Sequence, residues 1–260
     1  MSQEYTLTEL MIVAAARELE DGKGILVGTG MPLAAALLAK RTHAPDLMLV
    51  FEAGAVGPIK MPRLPISVGE AITCHRAVQA SSMDDVMGAA ARGMIEYGFL
   101  GGAQIDMYGN LNTTVIGDYN TPKVRFPGSG GANDIGSLCR KTIVIMKHEK
   151  HRFMPKNDFI TTPGYLDGPG GRERAGLPEG GPYKVVSTLG VMGFDPESKR
   201  MRIDKTYPTS TIELIKENTG FELLLADKVT QVKPPTKKEL TILRTKVDPL
   251  GHVSGLKSKK

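Results

Sequence analysis

Leu47-Met48-Leu49-Val50-Phe51 is an unbroken apolar run that stops at Glu52-Ala53-Gly54, where an ionisable residue is followed at once by small ones. A short run bounded in this way reads as a buried strand. Toward the N-terminus, residues 25–27 form a second apolar run that enters Gly28-Thr29-Gly30, with Pro32 opening the segment 33–40. Proline is favoured at the first helical position, so the pattern is strand, tight turn, helix. Further back, Leu7, Met11, Ala14, Ala15 and Leu19 keep helical spacing, with Thr6 and Glu9 placed as a capping box. Beyond Glu52, residues 54–65 are too rich in Gly and Pro to continue either periodic structure. Helix returns at 83–92, Gly98-Phe99-Leu100 leads into Gly101-Gly102, a polar loop spans 104–120, and residues 142–146 are strongly β-prone. Strands alternating with helices predict an α/β fold with an open, largely parallel sheet covered by helices. From Phe159 the signals shorten, with strands expected near 184–187, 193–194 and 201–203, and helices near 212–218 and 236–246.

A chain of 260 residues that is 41% hydrophobic has enough apolar material for one substantial core. We expect a single domain over 1–260, with a core at 1–250 and a flexible basic tail at 251–260. The formal net charge of +5 comes from 33 basic residues interleaved with 28 acidic ones, and aromatics are only 5% with no Trp. That pattern suits an enzyme for small anionic molecules and argues against nucleic-acid binding, which wants a basic stripe interleaved with stacking aromatics. Cys74 and Cys139 make neither a C-x-x-C pair nor a disulfide framework. The first ten residues carry Glu4 and Glu9 and lack the pattern of a signal peptide, and no apolar stretch reaches membrane-spanning length. A soluble protein of the cytoplasm, with no membrane partner, is the expectation.

Position gives Glu52 two readings. In open α/β sheets ligands bind beyond the carboxyl ends of strands, so this carboxylate suits a nucleophile with small neighbours leaving it room. It equally suits a solvent-facing residue at the start of a loop. Gly128-Ser129-Gly130-Gly131-Ala132-Asn133 also has two uses. It suits a demanding turn, or a loop and short helix whose free N–H groups face negative charge. It lacks the Lys-Ser/Thr ending of a P-loop. Gly28-Thr29-Gly30 has Leu33 where a dinucleotide fingerprint needs its third glycine, so a structural turn is favoured. Gln104 and Asp106 follow Gly101-Gly102 at alternating positions, and Asp106 reads as a loop brace. His148 and His151 are three residues apart, whereas a helical H-E-x-x-H zinc pair needs four, so no metal is expected. Gly170-Gly171-Arg172-Glu173-Arg174 reads as a solvated surface loop, or as cations placed near an anionic ligand or a partner. No G-x-S-x-G motif supports a hydrolase triad.

Taken together and in order, these segments resemble the β subunit of family I coenzyme A transferases of the glutaconate type. The segments are Val27-Gly28-Thr29-Gly30-Met31-Pro32-Leu33, Phe51-Glu52-Ala53-Gly54, residues 101–106, Ile116-Gly117-Asp118-Tyr119 and residues 128–133. The match continues through His148-Glu149-Lys150-His151-Arg152-Phe153-Met154, residues 167–174 and Glu217-Asn218-Thr219-Gly220-Phe221, nearly the whole chain. The resemblance implies the family I fold, a homologous α subunit as partner, and acyl-CoA and a carboxylic acid as substrates. Coenzyme A is then a substrate and no cofactor is required.

By the same resemblance Glu52 matches the catalytic glutamate, and Gly131 the glycine whose N–H helps hold the thioester oxyanion. The chemistry implied is ping-pong transfer through a glutamyl-CoA thioester. Between Ala55 and Met83 the sequence departs from the glutaconate enzymes, so dicarboxylic, 3-oxo and other short acyl groups all stand as candidates. An acyl-CoA hydrolase, a C–C bond-cleaving enzyme or a non-catalytic partner subunit are the alternatives on this architecture, and the presence of Glu52 favours transfer. No residue is assigned to the CoA phosphates.

Overall fold

The structure is a computed structural model that describes residues 5–59 and 61–255. The expected basic tail lies outside the described residues from position 256 onward. The chain forms two compact units, one of residues 1–99 and 234–260 and the other of residues 100–233.

The first unit opens with α1 (Leu7–Ala16), closed at its N-terminus by the expected capping box. Thr6 Oγ1 accepts from the Glu9 amide at 3.2 Å, and the Glu9 carboxylate accepts from the Thr6 amide at 2.9 Å. These bonds satisfy donors that the first helical turn leaves unpaired. Then come β1 (Gly24–Leu26), α2 (Met31–Lys40), β2 (Met48–Val50), β3 (Ala55–Val56), β4 (Gln79–Ala80), α3 (Met83–Ala91) and β5 (Tyr97–Leu100). Pro32 stands in the first turn of α2, where its missing N–H removes no helical bond. β1 lies between β2 and β5 and is parallel to both, with Ile25 opposite Leu49 and Tyr97. β3 turns back antiparallel on β2, and β4 antiparallel on β3. α1 packs against α2, and most side chains of both helices are buried.

In the second unit, β6 (Gln104–Ile105) and β7 (Leu111–Asn112) form one antiparallel pair, and β8 (Val115–Gly117) and β9 (Pro122–Arg125) another. The chain continues through α4 (Ala132–Leu138), β10 (Lys141–Met146), α5 (Gly171–Arg174), β11 (Gly181–Ser187), β12 (Gly190–Phe194), β13 (Met201–Thr206), α6 (Ile212–Glu217) and β14 (Leu224–Gln231). β10 and β11 are parallel, β11, β12 and β13 form an antiparallel meander, and β14 is parallel to β13. The α/β sheet anticipated from the alternation is therefore present, largely parallel, with antiparallel β3, β4 and β12 making it mixed.

The chain returns to the first unit with α7 (Lys237–Ile242), where one helix over 236–246 was expected. The α-helix instead ends at Ile242 and winds on as a π-helical turn, Leu243–Val247. The wider turn accompanies Arg244 reaching Glu9, whose side chain is fully buried, at 2.6 Å. Arg17 pairs with Glu239 at 2.7 Å and fixes the other end of α7 to α1. Beyond it, the Asp248 carboxylate accepts from the amides of His252, Val253 and Ser254. No helix among the described residues is long and apolar enough to cross a membrane.

Candidate active site

Glu52 stands in a four-residue turn that joins β2 to β3. The Gly54 amide donates to the Phe51 carbonyl at 2.9 Å, and the Phe51 amide donates to Ala55 at 2.9 Å, so the chain reverses over Phe51-Glu52-Ala53-Gly54. Phe51 is wholly buried and anchors the turn, and Ala53 is exposed. Gly54 has φ +114°, a conformation that side chains rarely adopt, and a Cβ there would sit 1.9 Å from the Ser81 carbonyl oxygen. Only glycine closes the turn against the 81–82 segment, which donates to the Gly54 carbonyl from the Ser81 amide at 2.9 Å and the Ser81 hydroxyl at 3.1 Å. Glu52 itself is half-buried and makes no hydrogen bond or ion pair among the described residues. A carboxylate that braced the loop would spend its lone pairs on nearby donors, as Asp106 does below. Glu52 keeps them.

Gly131 caps α4 in the second unit. Ile135 donates to its carbonyl at 2.9 Å, as the first turn of the helix requires, while its own N–H makes no hydrogen bond among the described residues. The loop leading to it is tethered from both sides. Thr113 Oγ1 donates to the Gly128 carbonyl at 2.9 Å, Ser129 Oγ accepts from the Asn133 amide at 3.0 Å, and Asn133 Nδ2 donates to the Thr161 carbonyl at 3.0 Å. The result is a fixed loop with an unspent amide donor, the arrangement that can stabilise negative charge as it develops. Glu52 and Gly131 thus belong to different units.

The remaining candidates are structural. Gly30 caps α2 and its carbonyl accepts from Ala34 at 3.0 Å, so Gly28-Thr29-Gly30 is the tight strand-to-helix turn expected of it. Asp106 is buried and accepts from the amides of Tyr108 and Asn110 and from Asn110 Nδ2, at 2.9, 3.1 and 2.8 Å. It is the loop brace the sequence suggested, with its carboxyl pushed above the usual range by burial. Gln104 braces beside it, taking Asn112 Nδ2 and the Asp158 amide on its carbonyl and donating to the Asp158 carboxylate.

His148 is buried flat on Phe153, with ring centroids 3.8 Å apart, and its two nitrogens lie 2.9 Å from the hydroxyls of Ser187 and Thr219. Burial lowers its pKa to about 4, which keeps it neutral. Sequence reasoning found no serine for this histidine, because Ser187 and Thr219 come from distant β11 and the end of α6. The Ser187 hydroxyl is held by the Gly190 carbonyl and by the amides of Leu189 and Gly190, which makes it a strand-end brace, not a nucleophile. Among the described residues no group of three or more His, Cys, Asp or Glu side chains is placed to hold a metal.

Arg172 corrects the sequence expectation of a solvated surface loop. It is only 4% exposed, and its two terminal nitrogens donate to the carbonyls of Gly136, Ser137, Gly164 and Pro178. The solvated cation of that motif is Arg174, which pairs with Asp167 at 2.7 Å.

A family model described as coenzyme A transferase matches residues 8–218. The chain is 42% identical over 256 residues to the B subunit of glutaconate CoA-transferase from Acidaminococcus fermentans, covering 94% of this chain and 93% of the relative. It is 39% identical over 241 residues to the B subunit of 3-oxoadipate CoA-transferase from Pseudomonas knackmussii, covering 92% of each. The crystal structure of glutaconate coenzyme A-transferase from Acidaminococcus fermentans superposes with a TM-score of 0.92 at 40% identity, over 97% of this chain and 98% of the other.

Proposed function

We propose that this chain, which belongs to the coenzyme A transferase family, is the catalytic β subunit of a heteromeric enzyme that moves CoA between an acyl-CoA and a free carboxylic acid through a thioester on Glu52. The observation that carries the reading is the state of that carboxylate. It is half-buried, held by a turn that only glycine can close, and spends no lone pair on the described residues.

In the first step a Glu52 oxygen attacks the thioester carbonyl carbon, the C–S bond breaks, and CoA leaves as its thiolate. The product is a mixed anhydride between the acyl group and Glu52. The thiolate then attacks the glutamyl carbonyl, the anhydride C–O bond breaks, and the donor acid departs as a carboxylate, leaving CoA on Glu52. An acceptor carboxylate runs the two steps in reverse. Each tetrahedral intermediate carries an oxyanion, and the unspent Gly131 N–H is the donor we assign to it. Because each step exchanges one activated acyl bond for another, the transfer needs no ATP.

The partner is a homologous α subunit, in keeping with relatives that are named as the B subunits of their enzymes. Glutaconate and 3-oxoadipate, which name those relatives, are both short dicarboxylic acids. A short dicarboxylic acyl group is therefore the substrate class proposed for this chain.

The test is a transfer assay on the chain combined with its partner subunit, using a panel of mono- and dicarboxylic acids as acceptors. Short diacids should accept CoA at higher kcat/KM than monoacids of the same length, and Glu52→Gln should abolish transfer to every acceptor while the complex still assembles. A Glu52→Gln complex that transfers CoA normally would refute the nucleophile, and equal rates for mono- and diacids would refute the substrate class alone.

A further inference from the structure

The second unit holds a cavity of about 400 Å³ at the amino ends of the parallel strands β10 and β11. Ligands of α/β sheets sit beyond the carboxyl ends, so this recess does not belong to the usual crevice. Its walls carry Arg140, Lys141, Arg172 and Lys199 against two carboxylates, Glu173 and Glu179.

Three features distinguish these cations from ordinary surface charge. Arg172 is buried and its terminal nitrogens donate to backbone carbonyls, with no carboxylate within ion-pair distance among the described residues, and its Nε–H is buried without a partner there. A buried guanidinium solvated only by dipoles keeps its net charge, and an anion beside it would compensate that charge. Lys199 occupies a left-handed backbone conformation, φ +59°, in the β12–β13 connection, where glycine would be unstrained. Its ammonium lies 5.4 Å from the centroid of the Tyr165 ring and makes no ion pair among the described residues. Strain held at a lysine in a cavity wall points to a use for the lysine. Gly181, with φ +131°, lets Tyr165 and Arg172 pack close against the start of β11, because a Cβ there would meet the Tyr165 ring at 2.9 Å and Arg172 Cδ at 3.3 Å.

We propose that this recess binds the phosphate groups of a small phosphorylated molecule, with Lys199 and Arg140 as its outer cations and Arg172 as its buried one. Phosphate is favoured over a single carboxylate because cations from three separate chain segments, ahead of β10, in α5 and ahead of β13, line one space, and a phosphomonoester offers two charges and three acceptor oxygens to them. The chemistry has two sources, the nucleotide end of CoA or a free phosphorylated effector. The proposal stands apart from the Glu52 chemistry, so either can fail alone.

The test is isothermal titration of the full chain with adenosine 3′,5′-bisphosphate, AMP, inorganic phosphate and, as a carboxylate control outside the proposed substrate class, acetate. At least one phosphate-bearing probe should bind in a salt-sensitive manner, and acetate should not. Lys199→Gly removes the ammonium and relieves the backbone strain, so it should weaken that binding about tenfold or more without lowering Tm. Arg140→Gln should weaken it as well. Preference for the bisphosphate identifies the nucleotide end of CoA, and equal binding of AMP or phosphate identifies a free effector. Absence of binding by every phosphate probe, or binding unchanged in a folded Lys199→Gly chain, overturns the proposal.

Discussion

Replacing Gly54 by Ala should unsettle the turn that holds Glu52, and the structure sets the scale. The new Cβ would lie 1.9 Å from the Ser81 carbonyl oxygen and 2.6 Å from its carbon. Restoring a tolerable contact of about 3 Å parts the two segments by roughly 1 Å. That movement breaks or weakens the bonds from the Ser81 amide and hydroxyl to the Gly54 carbonyl, now 2.9 and 3.1 Å long. Each is worth about 0.5–1.5 kcal/mol, and forcing Ala to a positive φ adds about 1–2 kcal/mol, for a total of about 2–5 kcal/mol. In a chain of this size the loss lowers Tm by roughly 5–15 °C. The same 1 Å displacement of a reacting group costs ~10²-fold in rate. Gly22→Ala is the control, since Gly22 also has positive φ, +67°, but a Cβ there meets nothing within 4 Å. The assay is denaturant unfolding of both variants together with CoA transfer at a temperature where each is folded. A Gly54→Ala chain as stable as Gly22→Ala, with wild-type turnover, would refute the argument that this glycine positions the carboxylate.

Gly131→Ala puts a methyl group beside the unspent amide and should lower kcat and kcat/KM together, by up to about 10²-fold, with circular dichroism confirming the fold; unchanged turnover would return Gly131 to a purely structural cap. His148 should make the fold acid-sensitive. Its folded pKa of about 4 lies below the ordinary 6.5, so its contribution is fully present above pH 6.5 and is lost as pH falls from there toward 4, amounting to about 3 kcal/mol. Asp106, whose carboxyl is raised, acts in the opposite sense, gaining stability as pH falls through its folded pKa. Urea midpoints of wild type and His148→Asn between pH 7 and 5 separate the two, and a slope that survives in His148→Asn would show that another group carries it.

Much of the architecture is legible because its determinants are local. The capping box at Thr6 and Glu9, Pro32 at the head of α2, and the apolar runs that became β1, β2 and β10 all act within a few residues. Glu52 was legible as a carboxylate after a strand. The turn was not, because Gly54 is compelled by Ser81, 27 positions away. Arg172 looked like one cation among several, since nothing beside it in the sequence announces the carbonyls of Gly136 and Ser137 on α4. The edge strand β14 was missed for another reason: half of its side chains are polar and most are exposed, so it lacks the apolar alternation that marks a strand.

The most direct test of the account is to incubate the chain and its partner subunit with acyl-CoA and no acceptor acid, then locate the label by peptide mass spectrometry. Hydroxylamine should convert a glutamyl thioester into a hydroxamate and release CoA, leaving the mass change on the peptide that contains Glu52 and on no peptide from Glu52→Gln. A label on another residue, or steady CoA release by the wild type with no adduct on Glu52, would contradict the transfer mechanism.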